Sequence, residues 1–88
     1  MSKIEIYTSP FCGFCWRAKS LLSAKGVEFE EHDVTLKPGV RDEMIKRAGS
    51  RTVPQVFADG QHIGDCDAIH MLDARGELDQ KLGLAGQH

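Results

Sequence analysis

A change of hydrophobic period at Pro10 limits what this chain can fold into more than any other feature. In Lys3-Ile-Glu-Ile-Tyr-Thr8, the residues Ile4, Ile6 and Thr8 fall on one side and Glu5 and Tyr7 on the other. That is the period of a strand. Ser9-Pro10 ends it, because proline has no amide hydrogen to donate and fixes φ. From Phe14 the spacing turns helical, with Phe14, Ala18, Leu21 and Leu22 running up to a stop at Gly26. Cys12 and Cys15 lie where the strand hands over to the helix. A Cys-x-x-Cys in that place reads as redox chemistry. A thiolate at a helix N-terminus faces unpaired N–H groups and the positive end of the dipole, so its proton leaves more easily. Cys12 is therefore the expected nucleophile and Cys15, one turn further in, the expected resolving thiol.

The rest of the chain extends this unit. Val27–Val34 alternates again, with Val27 and Phe29 on one side, and predicts a second strand. A helix between two such strands makes them parallel neighbours. Leu36–Gly39 reads as a loop, and Val40, Met44, Ile45 and Ala48 as a helix closed by Gly49. Arg51–Ala58 is a strand interrupted near its start by Pro54, a residue that belongs at a strand's first position, at an edge or at a cis turn. Asp59-Gly60 is a hairpin signal before the short strand Gln61–Ile63. Gly64-Asp65 opens a helix carrying Ala68, Ile69 and Leu72 and ending at Gly76; Leu78–Leu84 adds a last turn and Gln87-His88 frays. The order βαβαββα predicts one α/β domain over residues 1–88. Its four-stranded mixed sheet carries helices on both faces, the thioredoxin-like arrangement.

Composition narrows the function. A chain of 88 residues, 41% hydrophobic and 27% charged, is one globular domain. A net charge of −2 with mixed signs lacks the basic stripe that nucleic acid requires. No apolar run nears the roughly 20 residues that span a bilayer, and Met1–Glu5 lacks a signal peptide's apolar region. Three cysteines, an odd number, point to a reducing cytoplasm rather than a disulfide framework.

Taken together, these residues resemble the glutaredoxin family over nearly the whole chain. The likeness is carried by Ile6-Tyr7-Thr8 before Cys12-Gly13-Phe14-Cys15, by Thr52-Val53-Pro54, by Ile63-Gly64 with Cys66-Asp67, and by Glu43–Arg47 and Leu72–Gly76. It implies a glutathione-dependent thiol–disulfide oxidoreductase acting on glutathione mixed disulfides and protein disulfides. Thr52 and Val53 would pair with the glutathione backbone, Pro54 would be cis, and Phe14 would sit on the rim. The N–H groups of Cys66 and Asp67 would take the γ-glutamyl carboxylate at a helix N-terminus, and the Asp67 carboxylate the ammonium. Arg51, with Arg47 as the weaker candidate, would meet the glycine carboxylate. The implied partners are glutathione and disulfide-containing or glutathionylated proteins, and the implied state is a monomer.

Three positions depart from the family pattern. Ser9 stands where many members have lysine, which should raise the thiolate pKa unless Arg17 or Arg51 compensates. Gly64-Asp65 replaces Gly-Gly, and Asp65 reads as a helix N-cap. Gly13 replaces proline and opens space beside Cys12. In the family that opening goes with a [2Fe-2S] cluster held by two first cysteines and two glutathiones across a dimer. The alternative function is thus a cluster carrier using Cys12.

Other readings of the same residues are less pointed. Cys12, Cys15 and Cys66 with His62 or His70 would make a zinc set, but structural zinc arrives as paired knuckles and Cys66 has no partner cysteine. Trp16 reads equally as core or as docking surface. The histidines show no pairing that suggests a base. Glu28, Glu30, Glu31 and Asp33 read as a solvated strand face, and Arg41, Lys46 and Arg47 as helix surface.

Overall fold

β1, Ile4–Thr8, is the axis of the fold, with all five of its residues buried. The computed structural model describes residues 2–84. β1 pairs in parallel with β2 (Phe29–Asp33) and antiparallel with β3 (Gln55–Ala58), and β3 pairs antiparallel with β4 (Gln61–Gly64). The sheet order is β2-β1-β3-β4. The helices are α1 (Gly13–Ala24), α2 (Pro38–Ala48), α3 (Cys66–Ala74) and the short α4 (Leu78–Lys81). This is the thioredoxin-like architecture, with α4 as the added last turn. None of the described helices is long and apolar enough to cross a membrane.

The two faces of the sheet have separate cores. Ile4, Ile6, Val56 and Ala58 pack with Ala18 and Leu22 of α1, Ile69 of α3, and Leu78 and Leu82. Tyr7 and Phe57 point the other way, onto Met44 of α2 and Val34. Because both faces are covered, the strand alternation of β1 sends Glu5 inward as well, and a buried carboxylate requires a partner. Arg47 supplies it. Its guanidinium bonds both Glu5 oxygens at 3.0 and 3.1 Å and the Tyr7 hydroxyl oxygen at 2.8 Å. It also lies 4.1 Å from the Phe57 ring centroid. His32 Nε2 is 3.1 Å from Glu5, and the Tyr7 hydroxyl donates to Glu43. Arg47 is therefore not simple helix surface; its fork is engaged by Glu5 and Tyr7.

Several boundaries differ from the sequence expectation. α2 begins at Pro38 rather than Val40, since proline suits the first helical turn, where an N–H is not needed. β2 is shorter than Val27–Val34, and β3 starts only after Pro54. Gly49 closes α2 at φ 69°, its N–H donating to Ile45 at 2.8 Å. Gln87 and His88 lie outside the described residues.

Candidate active site

The cap of α1 is a sulfur. Cys12 sits at the N-cap with extended backbone, and its Sγ accepts the Cys15 N–H at 3.2 Å, the bond a serine or aspartate oxygen usually makes there. To reach this position from β1 the chain turns sharply, and Phe11 takes a left-handed backbone (φ 59°) with its ring wholly in solvent. One turn into α1, Cys15 is 2% exposed, whereas Cys12 is half-buried.

The two thiols differ in acidity for physical reasons. Burial pushes Cys12 up, but the Cys15 thiol and N–H, the Phe14 N–H and the Ser9 hydroxyl all bond its charged form and leave it below an ordinary cysteine. Burial and the neighbouring Cys12 push Cys15 well above one. At the position where many members have lysine, the Ser9 hydroxyl is the smallest of the contributions that favour the thiolate. Burial pushes the Cys66 thiol above an ordinary cysteine, opposite in direction to Cys12.

A cleft of about 300 Å³ is lined by Phe14, Thr52, Val53, Asp65, Cys66 and Asp67. Three separate stretches of sequence thus converge on it. Asp65 caps α3, its Oδ1 accepting the Ala68 N–H at 2.9 Å. Cys66 and Asp67 follow as the first two helical residues, whose N–H groups have no intrahelical acceptor. Gly64 makes this approach possible: its φ is +146°, and a Cβ there would meet the Ala68 Cβ at 2.4 Å. On the opposite wall the Val53–Pro54 bond is cis. The loop is braced by a residue the sequence reading missed. Gln55, 2% exposed, donates to the Thr52 carbonyl at 3.0 Å, and its Oε1 is 2.7 Å from His62 Nε2. A glutamine on a strand otherwise apolar was the available signal. Arg51 does not line the cleft; its side chain is exposed and its carbonyl accepts from Arg41 at 2.9 Å.

A second and larger cleft, about 510 Å³, contains Cys12 and Cys15 themselves, with Phe11 and Trp16 among its walls. Trp16, 68% exposed, is surface and not core. Lys19 and Glu31 also line this cleft, paired at 3.0 Å, and Glu31 accepts the Thr8 hydroxyl at 2.7 Å. Glu31 is thus solvent-exposed, as the strand pattern predicts, and at the same time tied to the cleft wall by Lys19 and Thr8. Among the described residues no three His, Cys, Asp or Glu side chains are grouped to hold a metal ion, so the zinc set does not assemble.

This arrangement supplies an accessible, readily ionised sulfur backed by a buried one, which is what thiol–disulfide exchange needs. The sequence profile of the glutaredoxins matches residues 4–63. This chain belongs to the glutaredoxin family. It is 55% identical over 82 residues to Glutaredoxin 3 of Escherichia coli (strain K12), covering 93% of this chain and 99% of that one. The solution structure of a Brucella melitensis glutaredoxin superposes with a TM-score of 0.82 at 45% identity, covering 94% and 92% of the two chains. A buckwheat glutaredoxin–glutathione complex superposes at 0.84 with 27% identity, over 93% of this chain and 77% of that one. As a glutaredoxin, the protein is a thiol–disulfide oxidoreductase.

Proposed function

We propose that this glutaredoxin is glutathione-dependent and reduces glutathione mixed disulfides and protein disulfides through Cys12, with Cys15 as the resolving thiol. The observation that carries the proposal is the Cys12 cap: the sulfur that ends the 3.2 Å bond from Cys15 N–H is the accessible one of the pair. Its thiolate attacks the glutathione sulfur of a mixed disulfide. The Cys12–glutathione bond forms, the old S–S bond breaks, and the substrate cysteine leaves as thiolate and takes a proton from water. A second glutathione thiolate then attacks the bound glutathione sulfur, releasing Cys12 and glutathione disulfide. In the dithiol route Cys15, having lost its proton to solvent, attacks the Cys12 sulfur instead. The Cys12–Cys15 bond forms, and the group bound to Cys12 leaves as a thiolate and is protonated by water. Two glutathiones then reduce the Cys12–Cys15 disulfide, leaving as glutathione disulfide.

Glutathione is assigned to the Phe14–Thr52–Asp67 cleft. The Thr52 carbonyl is already taken by Gln55, so strand-like pairing falls mainly to Val53, next to the cis Pro54. The free N–H groups of Cys66 and Asp67 suit a carboxylate, and the Asp67 side chain suits the ammonium. Arg51 would reach the glycine carboxylate by swinging its exposed side chain over the cleft edge. Support comes from the buckwheat relative, whose structure is a glutathione complex. The test is Asp67→Ala: KM for a glutathione mixed disulfide should rise about tenfold, the loss of one charge-assisted contact, with kcat little changed. An unchanged KM would remove glutathione from this cleft.

One observation favours cluster carriage as a second activity. A Cβ placed on Gly13 would meet nothing within 4 Å, so the flank of Cys12 is open. Cys12 of each copy, with two glutathione thiolates, would hold a [2Fe-2S] cluster, which would supply one-electron or cluster-transfer chemistry. Visible absorption and a dimer after anaerobic reconstitution with glutathione would support this; colourless monomer would exclude it.

A further inference from the structure

A mixed disulfide has two halves, and only one of them is glutathione. We infer that the Phe11–Trp16 cleft binds the other half, a protein segment carrying a cationic side chain beside its disulfide-forming cysteine, and that Asp33 selects it. The inference rests on the glutathione assignment above.

The geometry of exchange calls for such a surface. Attack places the three sulfurs nearly in line, so the departing cysteine stands about 4 Å, two S–S lengths, beyond Cys12. The segment bearing it rides above the protein surface, where only outward-projecting side chains meet it. Phe11 and Trp16 are those side chains, fully exposed and 68% exposed, and both line the cleft that contains Cys12. Phe11 is held there in a left-handed backbone that costs a non-glycine residue free energy, which marks a position kept for something other than folding.

Charge identifies the occupant. Lys19, Glu31 and Asp33 are the charged residues of this cleft. Lys19 and Glu31 neutralise one another at 3.0 Å. The Asp33 carboxylate is held by the hydroxyl and N–H of Thr35, at 2.6 and 2.8 Å, rather than by a cation. These bonds favour its charged form and lower its pKa. Lys19 also acts on Asp33 at longer range, so Lys19, Glu31 and Asp33 together sum to one net negative charge beside the Cys12 thiolate. Glutathione, with two carboxylates against one ammonium, is disfavoured there, whereas lysine or arginine is favoured.

The test uses two glutathionylated peptides that differ only in lysine or glutamate next to the cysteine. The full chain should favour the lysine peptide in kcat/KM by roughly fivefold, the scale of an exposed charge pair, and the preference should shrink in high salt. Asp33→Asn should abolish the preference and Asp33→Lys should invert it. Phe11→Gly should lower kcat/KM for both peptides. Equal rates for the two peptides, or a preference that survives Asp33→Lys, would overturn the inference. So would an Asp33→Lys effect confined to the KM of the attacking glutathione, which would give the cleft to that molecule. If neither peptide turned over, the glutathione assignment would fail, and the inference with it.

Discussion

The Cys12 sulfur closes the first turn of α1 by accepting the Cys15 N–H at 3.2 Å, so the nucleophile and the helix cap are one group. Reactivity and local structure are coupled through it. The cap favours the thiolate, and the thiolate strengthens the cap.

Alkylation should separate the thiols by pH. Cys12 lies below an ordinary cysteine, while Cys15 and Cys66 are raised by burial. Iodoacetamide at pH 7 should label Cys12 alone in the folded, reduced protein, as read by mass spectrometry. Ser9→Ala removes one donor to the thiolate and should slow that labelling about threefold at the same pH, less than a full hydrogen bond to a charged group is worth.

The Glu5–Arg47 pair should shape the acid limb of stability. Arg47's hydrogen bonds, with help from His32 and against the cost of burial, hold Glu5 down to about 2. A carboxyl depressed on folding stabilises above its unfolded pKa and ceases to as it is protonated. Urea midpoints should therefore fall as pH drops from about 4.5 towards 2. Arg47→Met strands a buried charge and should cost about 3 kcal/mol at pH 7, with a shallower acid slope.

Gly64→Ala should damage the fold and the glutathione cleft together. The new Cβ would stand 2.4 Å from the Ala68 Cβ at a backbone φ of +146°. The first turn of α3 must then retreat. A loss of about 2 kcal/mol is expected, with KM for a glutathione mixed disulfide raised more than kcat is lowered.

Phe11→Gly should act in the opposite sense on stability. The ring buries nothing and the backbone is left-handed. Glycine relieves that conformation, and even after its extra unfolded-state entropy the protein should be no less stable, and up to about 1 kcal/mol more so. Thermal unfolding checks it.

Local rules carried the sequence reading far because the site is local. Cys12 and Cys15 sit on one turn, and the strand–turn–helix switch at Pro10 places them without knowledge of the rest. Pro54 and the Cys66-Asp67 helix start were visible as backbone signals and by resemblance to the glutaredoxins. Long-range pairings were not visible. Nothing near Glu5 announces Arg47, because their meeting depends on α2 covering the second face of the sheet. Gln55 and His62 likewise meet only once β3 and β4 pair. The hydroxyl that Ser9 offers the Cys12 thiolate was not legible either, because it depends on how the turn after β1 folds. Asp65 was read correctly as a cap, since N-cap chemistry is set within one turn.

The most direct test is turnover of a glutathione mixed disulfide, coupled to glutathione reductase, in metal-free protein with Cys12→Ser and Cys15→Ser alongside. The wild-type chain and Cys15→Ser should both turn over well above the uncatalysed rate, and Cys12→Ser should not. Folded, reduced wild-type protein no faster than the uncatalysed reaction would contradict the account, as would Cys15→Ser being as inactive as Cys12→Ser.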